Sequence, residues 1–208
     1  MELREVIEKR ASVRRFKEDA VPVDDLREMA ALAGRAPSVN NTQPWRFMAV
    51  TNKDTLHCMS KSVKEKIHNL LPDGDSEEAA KAKAQVDWFS TFFADAPAVM
   101  VVLARPYEAV VDKVIGSGPI SHEAINEMRG HPDIQSIGAA VQNLLLAATD
   151  MGYGACWLSG PLVARQEIEA CLEIASPWRI AAMVAIGKPS SEVTQREKKP
   201  IEEIFEVK

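Results

Sequence analysis

The sequence predicts one α+β domain, a β-sheet surrounded by helices, across residues 1–208. Three observations indicate this class. Several segments place apolar residues three and four positions apart, which is the period of an amphipathic helix. The run AVMVVLA at residues 98–104 has the length of a strand buried on both faces. The composition, 46% hydrophobic and 26% charged, is that of an ordinary globular protein.

Individual elements follow from periodicity and from helix-end signals. Asp24 and Asp25 suit a helix N-terminus, and Ser76 can cap another helix. The predicted helices cover residues 2–10, 23–35, 53–71, 76–94, 133–149 and 163–174. The predicted strands cover residues 47–51, 98–104, 155–159 and 179–186.

Two regions do not fit this alternation. Residues 105–131 contain GSGP and show weak periodicity, so we interpret them as a lid-like excursion over a site. The C-terminal tail begins polar and ends with apolar residues in alternation: Ile201, Ile204, Phe205 and Val207. This alternation suggests that the tail packs elsewhere, on a second subunit.

Charge and cysteine content exclude several classes of protein. With 25 basic and 30 acidic residues the net charge is −5, so a general nucleic-acid-binding surface is not expected, and any anion site requires a local gathering of positive charge. The three cysteines and four histidines are scattered, which indicates neither a disulfide framework nor a metal site. The charged N-terminus and the lack of a long apolar run favour a cytoplasmic protein that does not enter a membrane.

Basic residues occur near both ends of the chain. If residues 10–14 are extended, Arg10, Ser12 and Arg14 point to one side, where two guanidinium groups and a hydroxyl suit a phosphate. The alternative is a helix C-cap or a solvated segment. Arg196 and Lys198 offer further positive charge, with a solvated charge run as the alternative.

Two other segments have unusual composition. GYGACWLSGP at residues 152–161 does not match a dinucleotide-binding fingerprint, but its glycines permit close approach of the backbone to a flat group. The loop APSVNNTQPWRF at residues 36–47 carries more hydrogen-bonding groups than a connector needs. No nucleophile–base arrangement is supported locally, so the sequence assigns no catalytic side chain, and the chemistry of an enzyme would belong to a bound cofactor.

Five segments, in their order and spacing, resemble the flavin-dependent nitroreductase family. They are IEKRASVRRF at 7–16, APSVNNTQPWRF at 36–47, GAAVQNLLLAA at 138–148, GYGACWLSG at 152–160, and AIGKP followed by the basic tail. The resemblance covers most of the chain but is poor between about residues 53 and 131. It implies a mixed β-sheet wrapped by helices, in an intertwined homodimer that exchanges C-terminal segments and shares two FMN sites.

The resemblance also implies roles for particular residues. The FMN phosphate and ribityl chain are expected to contact Arg10, Ser12, Arg14, Arg196 and Lys198. The isoalloxazine ring is expected to contact Pro37, Ser38, Val39 and Asn41 of the opposite subunit, with Gln43 nearby. Its other edge is expected to lie along Trp157, Leu158, Ser159 and Gly160, with the backbone N–H groups of Ser159 and Gly160 reaching N5 and O4.

The activity implied by the resemblance is ping-pong hydride transfer. NAD(P)H reduces FMN, and an acceptor such as a nitroaromatic, a quinone or a flavin then takes the electrons. Other chemistries of the same family remain open: enone reduction, dehalogenation, flavin reduction or oxygen-dependent fragmentation of reduced FMN. A deiodinase-like lid is disfavoured, because neither Tyr107 nor Tyr153 completes an E-x-x-x-Y pattern. A flavin-binding protein without turnover is the alternative from another class.

Overall fold

A four-stranded antiparallel sheet forms the centre of the computed structural model, which describes residues 1–71, 76–109 and 120–208. In chain order the strands are β1 Trp45–Val50, β2 Ala98–Ala104, β3 Gly154–Leu158 and β4 Arg179–Gly187. Their spatial order is β1-β2-β4-β3, and each neighbouring pair is antiparallel. The family resemblance implies a mixed sheet, with parallel as well as antiparallel pairing. Among the described residues, the parallel pairing is a single bridge between Ser12 and Ala155, at the outer edge of β3.

Helices surround this sheet, as predicted. They are α1 Leu3–Lys9, α2 Val23–Ala33, α3 Lys53–Leu70, α4 Glu77–Thr91, α5 His122–Met128, α6 Pro132–Asp150 and α7 Arg165–Cys171. No helix within the described ranges is both long enough and apolar enough to cross a membrane.

The element boundaries differ from the predictions where short turns intervene. Strand β1 begins two residues before the predicted strand, because Trp45 already pairs with Ala104. Helix α4 ends earlier than predicted, at a 3-10 turn over Phe92–Asp95, and another such turn, Gly160–Ala164, precedes the shorter α7. The Ser76 side chain caps α4 as predicted, accepting a hydrogen bond from the Ala79 N–H at 3.1 Å. The predicted excursion contains α5, and its residues 110–119 lie outside the described residues.

Two apolar cores lie on opposite faces of the sheet. Strand β2 contributes alternately to both, with Met100 and Val102 in one core and Val99 and Val101 in the other. The first core includes α2 and α6, and the second includes α3 and α7. All seven residues of β2 are buried, which confirms the predicted burial on both faces. The site described below lies at the edge of this layered structure, near β3.

A disulfide joins Cys58 on α3 to Cys171 on α7, so the prediction from cysteine spacing was wrong for this pair. The two residues are 113 positions apart in sequence, and only the packing of α3 against α7 brings them together. Sequence spacing reports local cysteine motifs and carries no signal for such a contact. Cys156 is free and buried.

Tyr153, just before β3, supports a pH-dependent prediction. Its hydroxyl donates a hydrogen bond to Asp25 on α2, and burial together with this bond raises the pKa of Tyr153 to about 12. Because the folded-state pKa lies above the ordinary value near 10, this contribution to stability is complete below about pH 10 and is lost as the pH rises toward 12.

We therefore expect Tyr153→Phe to lower the free energy of unfolding at pH 8 by about 1.5–3 kcal/mol, the range for a hydrogen bond to a charged group. The difference between variant and parent should shrink between pH 10 and pH 12. Urea denaturation of both proteins at several pH values measures it. A difference that is constant over this range would contradict the assignment.

Candidate functional site

The segment from Arg10 to Arg14 is fixed against the edge of β3. The Val13 N–H donates to the Ala155 carbonyl at 3.0 Å, beside the parallel bridge between Ser12 and Ala155. The close approach depends on Gly154, because a Cβ there would lie 2.7 Å from the Cβ of Val13. This packing holds the basic segment in a defined position at the end of α1.

After β4, residues 188–198 run back alongside the segment that follows α1. The Lys17 N–H donates to the Lys188 carbonyl at 2.8 Å, and the Ser190 N–H donates to the Arg15 carbonyl at 3.1 Å. Further along, the Gln195 side-chain amide donates to the carbonyl of Arg10 at 2.9 Å. These bonds carry the second basic segment alongside the first.

The two segments together line a cavity of about 130 Å³, here called the basic cavity. Its walls are formed by Arg10, Ala11, Ser12, Arg14, Thr194, Gln195, Arg196 and Lys198. All five residues that the resemblance implies for the phosphate and ribityl chain are therefore brought together, although almost the whole chain separates the two groups. None of the four cations forms an ion pair with a carboxylate of the described residues.

The donor set of the basic cavity fits a phosphate group. Three guanidinium groups, an ammonium and the Ser12 hydroxyl supply hydrogen bonds that phosphate oxygens accept, and no carboxylate lines the cavity to oppose them. The chain carries a net charge of −5, so four cations around one small cavity are a local exception to the overall charge.

Cys156 lies beneath this segment and remains a thiol. Burial raises its pKa above the ordinary value, although the neighbouring Arg14 opposes this effect. A buried thiol with a raised pKa is a poor nucleophile. Cys156 thus belongs to the packing under the basic segment.

The loop at residues 36–47 adopts an unusual backbone. Asn40, Asn41 and Gln43 have positive φ angles of 48°, 51° and 45°. Such left-handed conformations are uncommon outside glycine and need support from their surroundings. That support comes from hydrogen bonds inside the loop, where the Gln43 N–H donates to the Ser38 hydroxyl at 3.0 Å and the Thr42 hydroxyl donates to the Val39 carbonyl at 2.8 Å.

Several hydrogen bonds fasten this loop to the rest of the chain, among them the bond from the Arg105 side chain to the Thr42 carbonyl at 2.9 Å. The Val39 N–H donates to the hydroxyl of Ser136 on α6 at 3.1 Å, and the Asn40 side-chain amide donates to the Tyr107 hydroxyl at 2.9 Å. Much of the polar capacity noted in the sequence therefore serves to hold the loop itself. Pro37, Asn41 and Gln43 are exposed, and none of them lines the basic cavity of the same chain.

The segment at the end of β3 presents a mixture of exposed and buried groups. Trp157 and Ser159 are exposed, whereas the Leu158 side chain is buried in the second core, so only the backbone of Leu158 can face a ligand. Gly160 lies against α4, since a Cβ there would come within 2.6 Å of the Ser90 hydroxyl. The glycine that the sequence suggested for a flat ligand is thus required by a helix.

Sequence reasoning did not single out several residues of this region. Gln195 has no charge and joins the site through backbone contacts, so no motif identifies it. Trp88 and Phe89 lie on α4, within the region where the family resemblance is poor, and line a second cavity with Arg14 and Arg15. Two adjacent aromatic residues at the end of a helix otherwise made mostly of charged residues and alanine were the signal in the sequence.

Comparisons with known proteins agree with this architecture. The chain is 32% identical, with a TM-score of 0.87, to a BluB-like flavoprotein from Clostridium difficile 630, and the match covers 100% of this chain and 99% of the other. It is 25% identical to the putative NAD(P)H nitroreductase YfhC of Bacillus subtilis over 98% of this chain and 92% of that protein. A nitroreductase with bound FMN from Bacteroides fragilis shares the fold, with a TM-score of 0.72 and 20% identity over 100% of this chain and 98% of the other.

These similarities define the class of protein as one with the nitroreductase-like fold, in which helices surround an antiparallel sheet. The sequence profile of the nitroreductase family matches residues 7–188, which include the basic segment, the 36–47 loop and all four strands. The chain therefore belongs to the nitroreductase family.

Proposed function

We propose that the protein is an FMN-dependent oxidoreductase that transfers a hydride from NAD(P)H to an acceptor such as a nitroaromatic or a quinone, by a ping-pong route. The observation that carries this proposal is the basic cavity, where four cations without carboxylate partners and the Ser12 hydroxyl converge. The bound FMN of a structural relative and the name of YfhC support the cofactor and the reductant.

In this proposal the basic cavity holds the polar end of FMN. Arg10, Arg196 and Lys198 bind the phosphate, and Ser12 donates a hydrogen bond. Arg14 lines both the basic cavity and the neighbouring aromatic-walled cavity, so it extends positive charge from the phosphate end toward the ring. Positive charge and N–H donors near the ring favour the reduced, electron-rich state.

The ring end of the site is shared with a second subunit. The exposed residues Pro37, Asn41 and Gln43 contact no part of the basic cavity in their own chain, which is the arrangement that a partner's flavin would require. Ser38 and Val39 belong to the same loop, which Ser136 fixes to α6. The end of β3 and the turn after it supply the remaining contacts to the ring, through the exposed Trp157 and Ser159 and through the backbone of Leu158 and Gly160.

The C-terminal tail supports a homodimer. Ile204 and Phe205 are 65% and 64% exposed in the single chain, and apolar side chains that are so exposed are stabilised when a partner covers them.

We expect the protein to migrate as a dimer of 22.9 kDa subunits and a chain ending at Pro200 to lose that association. Light scattering after size exclusion measures both masses. A full-length monomer, or a truncated chain that dimerises equally well, would contradict the exchanged tail.

No side chain of this site acts as a catalytic acid or base in the proposal. Bound FMN supplies the reversible two-electron chemistry, and solvent can supply the proton to the acceptor. The chain's own groups bind, orient and stabilise charge.

A second candidate is another flavin chemistry of the family, such as enone reduction, dehalogenation or flavin reduction. Among these, dehalogenation is supported by a relative named iodotyrosine deiodinase, from Thermotoga neapolitana, which is 26% identical over 90% of this chain and 88% of that protein. The cytoplasmic location remains a prediction.

The direct test of the cofactor is FMN stoichiometry. Protein purified in the presence of FMN should retain one flavin per chain after desalting and should reduce a quinone or nitroaromatic with NADH or NADPH. A colourless protein that takes up no FMN would overturn the proposal. Retained flavin without turnover would favour the flavin-binding alternative.

The adjacent asparagines of the 36–47 loop offer a matched pair of substitutions. Asn41→Asp keeps an acceptor for the Gln43 amide, 3.3 Å away, and tolerates the positive φ, but it places a negative charge beside the proposed ring. We expect FMN affinity to fall about tenfold, with the free energy of unfolding unchanged within about 0.5 kcal/mol. Asn40→Asp introduces the same charge at the neighbouring position, where the Tyr107 hydroxyl can donate to the new carboxylate in place of the lost amide donor, so stability should stay within about 0.5 kcal/mol and FMN affinity within about twofold of the parent. FMN fluorescence titration and urea denaturation measure both variants, and equal FMN affinity for the two would show that Asn41 does not face the flavin.

A further inference from the structure

At the C-terminal end of α4, two aromatic side chains are exposed to solvent while a serine is buried. Trp88 and Phe89 are 42% and 40% exposed, whereas Ser90 is only 4% exposed. A helix packed on a protein core normally buries its aromatic residues and exposes its serines. Leaving this apolar area in water is unfavourable, which indicates that something covers it.

The reversal is fixed by packing on both sides of the helix. Ser90 is held against Gly160, where any larger residue would meet its hydroxyl. Trp88 stacks on the buried Phe92, with ring centroids 5.5 Å apart and an angle of 28° between the planes, and meets Phe89 edge-on at 4.8 Å. One face of the indole is thus backed by the core while the residue remains substantially exposed, so the aromatic surface is rigid before any ligand arrives.

The exposed aromatic side chains line a cavity of about 320 Å³, here called the aromatic cavity. It shares Ser12, Arg14 and Arg196 with the basic cavity, so the two are neighbouring compartments of one groove. The guanidinium carbon of Arg14 lies 5.5 Å from the Phe89 ring centroid, within cation–π range.

Arg15 belongs to the aromatic cavity alone. Its backbone carbonyl accepts from Ser190, which fixes its place at the rim, and its guanidinium forms no ion pair within the described part of the chain. Because a phosphate dianion is satisfied by two or three cations, the four cations of the basic cavity suffice for FMN. Arg15 is therefore an additional positive charge beside an aromatic wall.

We propose that Trp88, Phe89 and Arg15 form a binding site for planar aromatic anions, and that such anions are the acceptor class of this protein. The inference rests on the proposed function and names the acceptor of the same site. A flat ring stacks on the indole and phenyl groups, and a carboxylate or similar substituent accepts hydrogen bonds from Arg15. Arg14, Arg15 and Arg196 outnumber Glu192, the carboxylate that also lines this cavity, so the charge of its walls favours an anionic ligand.

With a nitroaromatic acid as a representative acceptor, the proposed reductant NAD(P)H supplies both electrons that the reaction needs. One NAD(P)H and one proton convert the nitro group to a nitroso group, releasing NAD(P)⁺ and water. The reductant loses a hydride, and the nitro nitrogen gains two electrons as one N–O bond breaks. The aromatic carboxylate takes no part in the electron transfer, so it can report on binding alone.

The experiment compares 4-nitrobenzoate with its neutral methyl ester as acceptors for the FMN-loaded protein. Arg15→Gln should lower the ratio of kcat/KM for the acid to that for the ester by about tenfold, since only the acid loses a charged hydrogen bond. Trp88→Leu should lower kcat/KM for both compounds about three- to tenfold, because both lose the stacked surface. Arg4→Gln changes an exposed arginine on α1 that lines neither cavity, and it should leave the ratio unchanged.

An equilibrium readout separates this site from the cofactor site. Quenching of tryptophan fluorescence gives the dissociation constants of both compounds, and fluorescence titration gives that of FMN. We expect Arg15→Gln to weaken binding of the acid about tenfold while leaving the ester and FMN within about twofold.

Three results would overturn the inference. Equal losses for acid and ester in Arg15→Gln would show that no carboxylate is recognised there. Tenfold weaker binding of FMN by either variant would show that these side chains contact the flavin itself. Conversion of a dimer to a monomer by Trp88→Leu would assign it to the interface between copies. If wild-type protein binds the acid more tightly than the ester but reduces neither, the aromatic-anion site stands and its role as the acceptor site fails. The proposed function fails as well only if a quinone is not reduced either.

Discussion

Arg14→Ala should weaken FMN binding by about 10- to 150-fold, the largest loss of affinity expected from any single substitution in the site. Arg14 lines both compartments of the groove, and its guanidinium has no carboxylate partner among the described residues. Removing a charged hydrogen bond costs about 1.5–3 kcal/mol, and each 1.4 kcal/mol is a factor of ten in affinity.

Two further variants make this measurement specific. Arg14→Lys keeps the charge but loses the forked donor geometry, so it should fall between the parent and the alanine variant. Arg4→Ala removes an exposed arginine from the preceding helix and should leave FMN affinity unchanged. Titration of flavin-free protein with FMN, followed by quenching of flavin fluorescence, gives all four dissociation constants. Equal affinities for Arg14→Ala and the parent would remove Arg14 from the proposed FMN site.

Gly154→Ala should lower stability by about 1–3 kcal/mol and weaken FMN binding at the same time. The new methyl group would lie 2.7 Å from Val13 Cβ and 2.8 Å from both of its methyl carbons, closer than real Cβ contacts allow. Valine is stiff at χ1 and cannot swing away, so the segment carrying Arg10, Ser12 and Arg14 must move off β3.

The same substitution at Gly138 provides an opposite control. There the nearest atom to an added Cβ is the Trp157 ring at 3.9 Å, an ordinary contact, and the residue lies inside α6. Gly138→Ala should stabilise the protein by about 0.5–1 kcal/mol because alanine loses less entropy in a helix. Urea denaturation with a parallel FMN titration measures both variants. If Gly154→Ala binds FMN as the parent does, the packing of Val13 on Gly154 does not position the basic segment.

Much of the fold could be predicted because its signals are local. Helical periodicity, the cap at Ser76 and the apolar run of β2 each reflect a short stretch of chain, and the structure has all of these elements. The boundaries were less accurate where 3-10 turns intervene, at Phe92–Asp95 and Gly160–Ala164, since these turns share their composition with α-helix.

The residues of the site likewise fall into those with a local signal in the sequence and those that depend on long-range packing. Arg10, Ser12 and Arg14 were found by their alternation, and the tail residues by the family resemblance; their convergence follows from Gln195 and the contacts between residues 15–17 and 188–190. The aromatic wall and the Cys58–Cys171 disulfide depend on packing between distant helices. The loop at residues 36–47 has features of both kinds. Its many polar groups were evident in the sequence, but the hydrogen bond from Asn40 to Tyr107 was not.

Anaerobic mixing of the FMN-loaded protein with NADH or NADPH tests the central claim most directly. The claim is that the basic cavity holds FMN in a form that a nicotinamide can reduce and an acceptor can reoxidise. It predicts that the visible flavin band bleaches on addition of at least one of the two nucleotides and returns when menadione or 4-nitrobenzoate is added. A flavin band that persists with both nucleotides, in protein shown to bind FMN, would contradict the assignment as an NAD(P)H-dependent oxidoreductase.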